Sequence, residues 1–194
     1  MTTHRLGVLV LGIALVACAG GDAADDETAG DTVAVTPAPA PERLGDAEIA
    51  HVAVTANTID IEAGELARQK STNEEVRQFA QTMITDHTGV NNQASALAQR
   101  LNVTPADNLT SQQLKSDADR MKSELSTRSG ADFDRTYIAN EVNFHEAVLN
   151  ALDQTLIPSA QNAELKALLE NVRPAFQAHL DMAKVLQGKL AGGS

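Results

Sequence analysis

Three histidines occupy the inward-facing positions of three different predicted helices, and acidic residues lie close to them in the same pattern. His87, His145 and His179 each continue the three- and four-residue spacing of apolar side chains that face the interior of a helix bundle. Imidazole and carboxylate groups that point into a bundle are the groups from which such folds build metal sites. This set of donors suits Fe, Mn, Zn or Cu rather than Ca. The candidate metal ligands are Asp60, Glu62, His87, Glu141, His145 and His179.

The same histidines have a second interpretation that requires no metal. A histidine inside a bundle can be neutral and hydrogen-bonded, and it then helps to fix the register of the helices. On this interpretation His87 pairs with Asp86, and His145 pairs with Glu141. The protein would then be a non-enzymatic module that binds a protein partner or associates with itself. The sequence alone leaves both interpretations open.

Helical periodicity from residue 46 onward defines the elements that must position these groups. The predicted helices cover about 46–70, 72–101, 110–129, 132–157 and 161–190. Two long hairpins joined by a shorter crossover helix predict an all-α four-helix bundle. At about 1.5 Å per residue, the polar groups within each hairpin come to lie within about one helical turn of each other.

Local signals set the ends and the inward faces of these helices. Thr72 with Glu75, and Thr110 with Gln113, have the spacing of capping boxes. Pro158 is predicted to stop the fourth helix, and Pro174 must remove one backbone hydrogen bond inside the last. The inward positions predicted for that last helix are Leu165, Leu168, Val172, Ala175, His179, Met182 and Leu186.

The first 17 residues predict an export signal. Their apolar run is about 12 residues long, whereas a membrane-spanning helix needs about 20. The run ends in Leu-Val-Ala-Cys at residues 15–18, which resembles the lipobox of bacterial lipoproteins, whose cysteine thiol receives a diacylglyceryl group. We therefore expect a lipoprotein of the cell envelope, anchored through Cys18 and facing the periplasm. Ala19, where an Asp would favour retention at the inner membrane, favours the outer membrane.

The composition of the chain predicts the remaining segments and limits the classes of partner. Residues 18–45 are acidic and rich in Pro and Ala, which predicts a disordered tether before a folded domain at 46–190. The chain has 15 basic and 26 acidic residues, so we expect no nucleic-acid partner. One cysteine excludes an intrachain disulfide. The expected contact with the membrane is the lipid on Cys18.

Three stretches, at 57–88, 130–149 and 172–186, resemble the bacterial domain of unknown function 4142. The most specific pieces are Met-Ile-Thr-Asp-His-Thr at 83–88, Phe-Asp-Arg-Thr-Tyr at 133–137, and Pro174 followed by His179. The resemblance implies a ferritin-like four-helix bundle, usually exported or lipid-anchored, with no established activity. It also matches His87, His145 and His179 to the family's pattern. The chain departs from that pattern at Asp60, where the family prefers Glu, and at Arg173, where it prefers Leu.

The spacing around the histidines argues against the usual di-iron site of ferritin-like bundles. Such sites use a Glu-x-x-His pair on each of two helices. Ile84 stands three residues before His87, Phe176 stands three before His179, and Glu141 is four residues before His145. The spacing does not exclude a site for one metal ion, or a di-iron site that has lost some of its ligands. We assign no catalytic residue, because the single Cys is the expected lipid attachment point and no Ser lies in an activated turn.

Overall fold

The computed structural model describes residues 43–192, and these residues form helices with no strand among them. The predicted signal peptide, Cys18 and nearly all of the predicted tether lie outside the described residues. The elements are α1 (Asp46–Lys70), α2 (Glu74–Leu101), α3 (Leu109–Thr127), α4 (Gly130–Ala151), a π-helical turn (Leu152–Leu156), α5 (Ile157–Ser159) and α6 (Ala163–Gly192). None of these helices is both long and apolar enough to cross a membrane. The all-α prediction is confirmed.

Hydrogen bonds at the two ends of the bundle define its topology. The Ala106 amide donates to the Ala47 carbonyl at 3.0 Å, and Lys70 Nζ donates to the Leu125 carbonyl at 2.8 Å. The crossover helix α3 therefore runs parallel to α1. The Asp46 carboxylate accepts the amides of Gln161 and Asn162, which brings the start of α6 to the start of α1. Helices α1 and α6 thus run in one direction and α2 and α4 in the other, as in a ferritin-like bundle with a crossover helix.

Asparagines, not the predicted threonines, cap α2 and α3. Asn73 Oδ1 accepts the Glu75 and Val76 amides, and Asn108 Oδ1 accepts the Ser111 amide. The Ser111 hydroxyl accepts the Asn108 amide in return. The capping boxes predicted at Thr72 and Thr110 were therefore wrong, because asparagine, among the strongest N-cap residues, stood one residue after the first and two before the second.

The chain stays helical beyond the point where Pro158 was predicted to stop it. Pro158 lies in α5, which continues the π-helical turn without a break, and it has no amide proton to donate to that turn; the helix ends one residue later, at Ser159. The preceding π-helical turn is fixed to α6 by Arg173, whose Nε and Nη2 donate to the two carboxylate oxygens of Asp153 at 2.7 and 2.8 Å. Arg173, one of the two departures from the family pattern, thus forms a two-point ion pair.

The inward face of α6 differs by one residue from the prediction at three positions. Leu169, Phe176 and Ala183 are buried there, in place of Leu168, Ala175 and Met182. Met182 is 41% exposed and does not belong to the core. His179, Leu165, Val172 and Leu186 are buried as predicted.

At Gly64, helix α1 approaches α2 closely. A Cβ atom added there would lie 3.0 Å from the Ala80 carbonyl oxygen and 3.0 Å from Cγ1 of Ile84. Gly89, within α2, has no atom within 4 Å of the corresponding position. The two glycines therefore have opposite environments within the same hairpin.

We expect Gly64→Ala to lower the free energy of unfolding by about 1–2 kcal/mol, because the clash with backbone outweighs the gain in helix propensity. Gly89→Ala, the matched control, should raise it by up to about 1 kcal/mol. Urea denaturation of both variants measures the difference. Equal effects of the two substitutions would contradict the close approach.

Candidate metal centre

His87 from α2, His145 from α4 and His179 from α6 meet in the interior of the bundle. Their ring centroids lie 5.7 Å apart for His87 and His145, 5.3 Å for His87 and His179, and 5.5 Å for His145 and His179. The three residues are 1–2% exposed. Each offers one ring nitrogen, and the three nitrogens lie within 4.8 Å of one another. We call these three residues the histidine cluster.

Each ring of the histidine cluster is oriented through one nitrogen by a different kind of acceptor. His87 Nδ1 lies 2.7 Å from Asn57 Oδ1. His145 Nδ1 lies 3.0 Å from the backbone carbonyl of Glu141, and His179 Nε2 lies 2.9 Å from Oδ2 of Asp86. Because carbonyl, amide and carboxylate oxygens accept hydrogen bonds, the proton of each neutral ring sits on the nitrogen that faces the acceptor.

The second nitrogen of each ring is buried without a hydrogen-bond partner. These atoms are His87 Nε2, His145 Nε2 and His179 Nδ1. His87 Nε2 also lies 3.3 Å from Asp60 Oδ2. In the neutral form of each ring, with its proton facing the acceptor, this second nitrogen carries the lone pair. A buried polar atom left unpaired costs about 1–3 kcal/mol, so three together need an explanation.

Two buried carboxyl groups adjoin the histidine cluster. Asp60 from α1 and Glu141 from α4 are each 3% exposed, and with His145 they form a second group of ligand atoms within 4.8 Å of one another. Burial raises the pKa of Glu141 to about 7. Burial and the charge of Glu141 raise the pKa of Asp60 well above its usual value. The pair therefore keeps at least one proton near neutral pH, since two adjacent buried charges are unfavourable.

The pKa values of His87 and His145 are shifted in the opposite direction. Burial, followed by the neighbouring rings of His145 and His179, lowers the pKa of His87 to about 3. Burial also lowers the pKa of His145 to about 4. Both rings are neutral at physiological pH, which is the form that binds metal.

The structure brings together five of the six predicted ligands, namely Asp60, His87, Glu141, His145 and His179. Glu62 does not join them, because its side chain is 55% exposed and lies 3.3 Å from Lys122 Nζ. Two residues along a helix correspond to about 200° of rotation, so Glu62 cannot share the inward face of Asp60. The predicted pairing of Asp86 with His87 was also wrong, since Asp86 contacts His179.

Asn57 and Tyr137 also lie at this centre and were not predicted from the sequence. Asn57 lies three residues before Asp60, on the same face of α1, and that spacing was the available signal. Tyr137 is fully buried on α4, one helical turn before Glu141. Burial and the charge of Glu141 raise the pKa of its hydroxyl.

The sequence profile of the family described as "Domain of unknown function (DUF4142)" matches residues 32–186. The match thus begins within the segment predicted to be a tether. No curated protein matches the chain.

Two solved structures share the fold. A protein described as a secreted DUF305 protein from Streptomyces coelicolor superposes with a TM-score of 0.65 at 12% identity, over 75% of this chain and 93% of that one. CopM in its Cu(II)-bound form superposes with a TM-score of 0.58 at 15% identity, over 76% of this chain and 99% of that one. At these identities the similarity concerns the fold alone.

We expect the metal-free Glu141→Gln variant to gain stability over the wild type as pH rises. The pKa of Glu141 is about 7 in the folded protein and about 4.5 when unfolded, so its stabilising contribution is present below pH 4.5 and is lost as pH rises through 7. The difference between the two proteins should grow by about 3 kcal/mol between pH 4.5 and pH 8. Urea denaturation in the presence of chelator measures it.

Glu146→Gln provides the control on the same helix, because Glu146 is exposed and faces Lys184. The difference in free energy of unfolding between Glu146→Gln and the wild type should change little with pH. A constant difference between Glu141→Gln and wild type across this range would show that Glu141 is not held protonated. The groups that face Glu141 are Asp60, Tyr137 and His145.

Proposed function

The chain belongs to the DUF4142 family, and we propose that its histidine cluster binds one transition-metal ion. Two observations on the same three buried rings carry the proposal: each ring leaves one nitrogen without a hydrogen-bond partner, and the rings each offer a nitrogen within 4.8 Å of the others. Histidines that bind metals almost always donate their other ring N–H to a carboxylate or carbonyl. Each histidine of the cluster has such an acceptor in place.

The distances suit a metal after a small contraction. A metal at about 2.0–2.1 Å from each imidazole nitrogen needs nitrogens roughly 3.3–4 Å apart. The nitrogens of the cluster lie within 4.8 Å of one another, so small rotations of the rings bring them into range. Asp60 is placed to supply a further anionic ligand, since its Oδ2 lies 3.3 Å from the unpartnered Nε2 of His87, whereas Glu141 lies 3.5 Å from Nδ1 of His145.

Copper is the ion we propose first among Fe, Mn, Zn and Cu. Imidazole ligands suit all of these, and Cu(II) binds most tightly among the divalent ions of the series. The similarity of the fold to CopM in its Cu(II)-bound form supports this order. A bound metal would take the three unpartnered nitrogens of the histidine cluster as its ligands.

Elemental analysis and metal titration of the full chain, purified without chelator or histidine tag, test the proposal. We expect one ion per chain, and loss of stoichiometric binding in His87→Ala, His145→Ala and His179→Ala. Asp86→Ala should weaken binding by about 10–100-fold, because it removes the acceptor that orients His179 without removing a ligand.

His51→Ala serves as the control, since His51 lies outside the cluster, 3.5 Å from Asp107. It should bind metal as the wild type does. Absence of metal from the wild type, with none taken up from Cu(II), Zn(II), Fe(II) or Mn(II), would overturn the proposal. The histidines would then be structural, as in a non-enzymatic module that binds a partner or associates with itself.

We further propose that the domain is exported and anchored to the cell envelope by a lipid on Cys18, at the outer membrane. The residues Leu-Val-Ala-Cys at 15–18 support this, and the secreted DUF305 protein of similar fold is in keeping with export. Residues 18–45 would then act as the tether between the lipid and the helices.

Replacing Cys18 with Ser should move the protein from the membrane fraction to the soluble fraction, since Ser cannot accept the diacylglyceryl group. Mass spectrometry of the N-terminal peptide should find a lipid on Cys18 in the wild type and none in the variant. A wild-type chain cleaved at another residue and free of lipid would identify an ordinary secretory signal instead.

A further inference from the structure

An apolar cavity of about 160 Å³ lies between the α1–α2 hairpin and the α4–α6 hairpin. All four long helices line it, together with residues of the loop after α2 and the start of α3. Representative lining residues are Ala53, Ala56, Ala94, Val148, Leu169 and Phe176. Alanines stand at several positions where larger side chains would close the space, so the sequence itself leaves this half of the bundle incompletely filled.

The cavity is long and narrow. It reaches from Asp46 to Asn57, which are about 16 Å apart along the axis of α1 at 1.5 Å per residue. Its polar lining residues stand at the ends, with Asp46, Thr110 and Asn162 at one and Asn57 at the other. The walls between them are apolar.

Water is a poor occupant for such a space. A buried water needs two to four polar partners, and the middle of the cavity offers none. Cavities of about 150 Å³ with apolar walls remain dry and bind apolar molecules instead. The elongated shape selects among apolar molecules, because a compact ring would fill only part of the length.

We propose that the cavity binds a single linear alkyl chain that enters at the end marked by Asp46, Thr110 and Asn162. The inner end of the chain lies against Asn57 and Phe176. Both residues contact His87, Asn57 by a hydrogen bond and Phe176 by a stacked ring at 4.9 Å. The proposal does not depend on metal binding, since the cavity and its walls are present without an ion.

Straight-chain alcohols from hexanol to hexadecanol are the probes, titrated by calorimetry into the full chain with Cys18→Ser, purified without detergent. The substitution removes the attachment point of any covalent lipid. We expect saturable binding of one alcohol per chain, about fourfold tighter for each added methylene. The gain should stop once the alkyl chain fills the roughly 16 Å of the cavity.

Phenylalanine signals in NMR spectra locate the bound probe. The chain has four phenylalanines, of which Phe144 and Phe176 line the cavity, whereas Phe79 and Phe133 pack beside Tyr137. Dodecanol should shift the first two signals and leave the other two in place. Shifts confined to Phe79 and Phe133 would overturn the proposal.

Ala94→Phe fills the cavity from α2, and Ala96→Phe adds the same bulk on the exposed side of that helix. We expect Ala94→Phe to weaken dodecanol binding at least tenfold and Ala96→Phe to leave it unchanged. Absence of saturable binding, equal binding by both folded variants, or affinity that keeps rising through hexadecanol would each overturn the proposal. If Ala94→Phe does not fold, the chain-length limit and the NMR shifts still decide the question in the otherwise unaltered chain.

Discussion

The structure depends on one constraint, which is that polar rings in the core of a helix bundle must find hydrogen-bond partners there. Each of the three histidines meets this constraint through one ring nitrogen and in its own way: across the first hairpin to Asn57, within one turn of α4, and between hairpins to Asp86. Asp86 and His87 are consecutive, about 100° apart around α2, so one residue reaches α6 while the other faces the centre. Helix α2 therefore holds two helices in register through adjacent side chains, α1 through His87 and α6 through Asp86.

The remainder of the bundle is arranged around this polar centre. The α3 crossover and the Asp46 contacts join the helices at one end, while Phe79, Phe133 and Tyr137 pack the other. Between the centre and the Asp46 end, the two hairpins are separated by the apolar cavity. Strong polar contacts hold the helices together at the level of the histidines, whereas the level of the cavity is loosely packed. At the cavity the helices are held in place by the hydrogen bonds on one side and the contacts at the Asp46 end on the other, and not by close packing of side chains.

Much of the architecture could be predicted from the sequence, and the errors have physical reasons. The bounds of α1 and the inward positions of all three histidines followed from apolar periodicity. On α6 the prediction placed Leu168, Ala175 and Met182 beside the inward row that contains His179, whereas the helix buries the opposite flank of that row, Leu169, Phe176 and Ala183. Both sets repeat every seven residues, so the period alone could not choose between them. The partners of the histidines could not be predicted in the same way. Asn57 and Asp86 acquire their roles only when helices distant in sequence come together.

The near-complete burial of the histidine cluster determines how an ion held there would exchange with its surroundings. Because the three rings are only 1–2% exposed, an ion bound to them would have no open path to solvent. Its release would therefore require a local opening of the helices. The half-exposed Asp86 is the point where the cluster comes nearest to solvent, through its bond to His179. The residence time of a bound ion would therefore depend on the rate at which α6 separates from α2. Two ions of equal affinity would leave at the same slow rate, because the opening of the protein limits both. Such kinetics suit retention of an ion more than its rapid transfer.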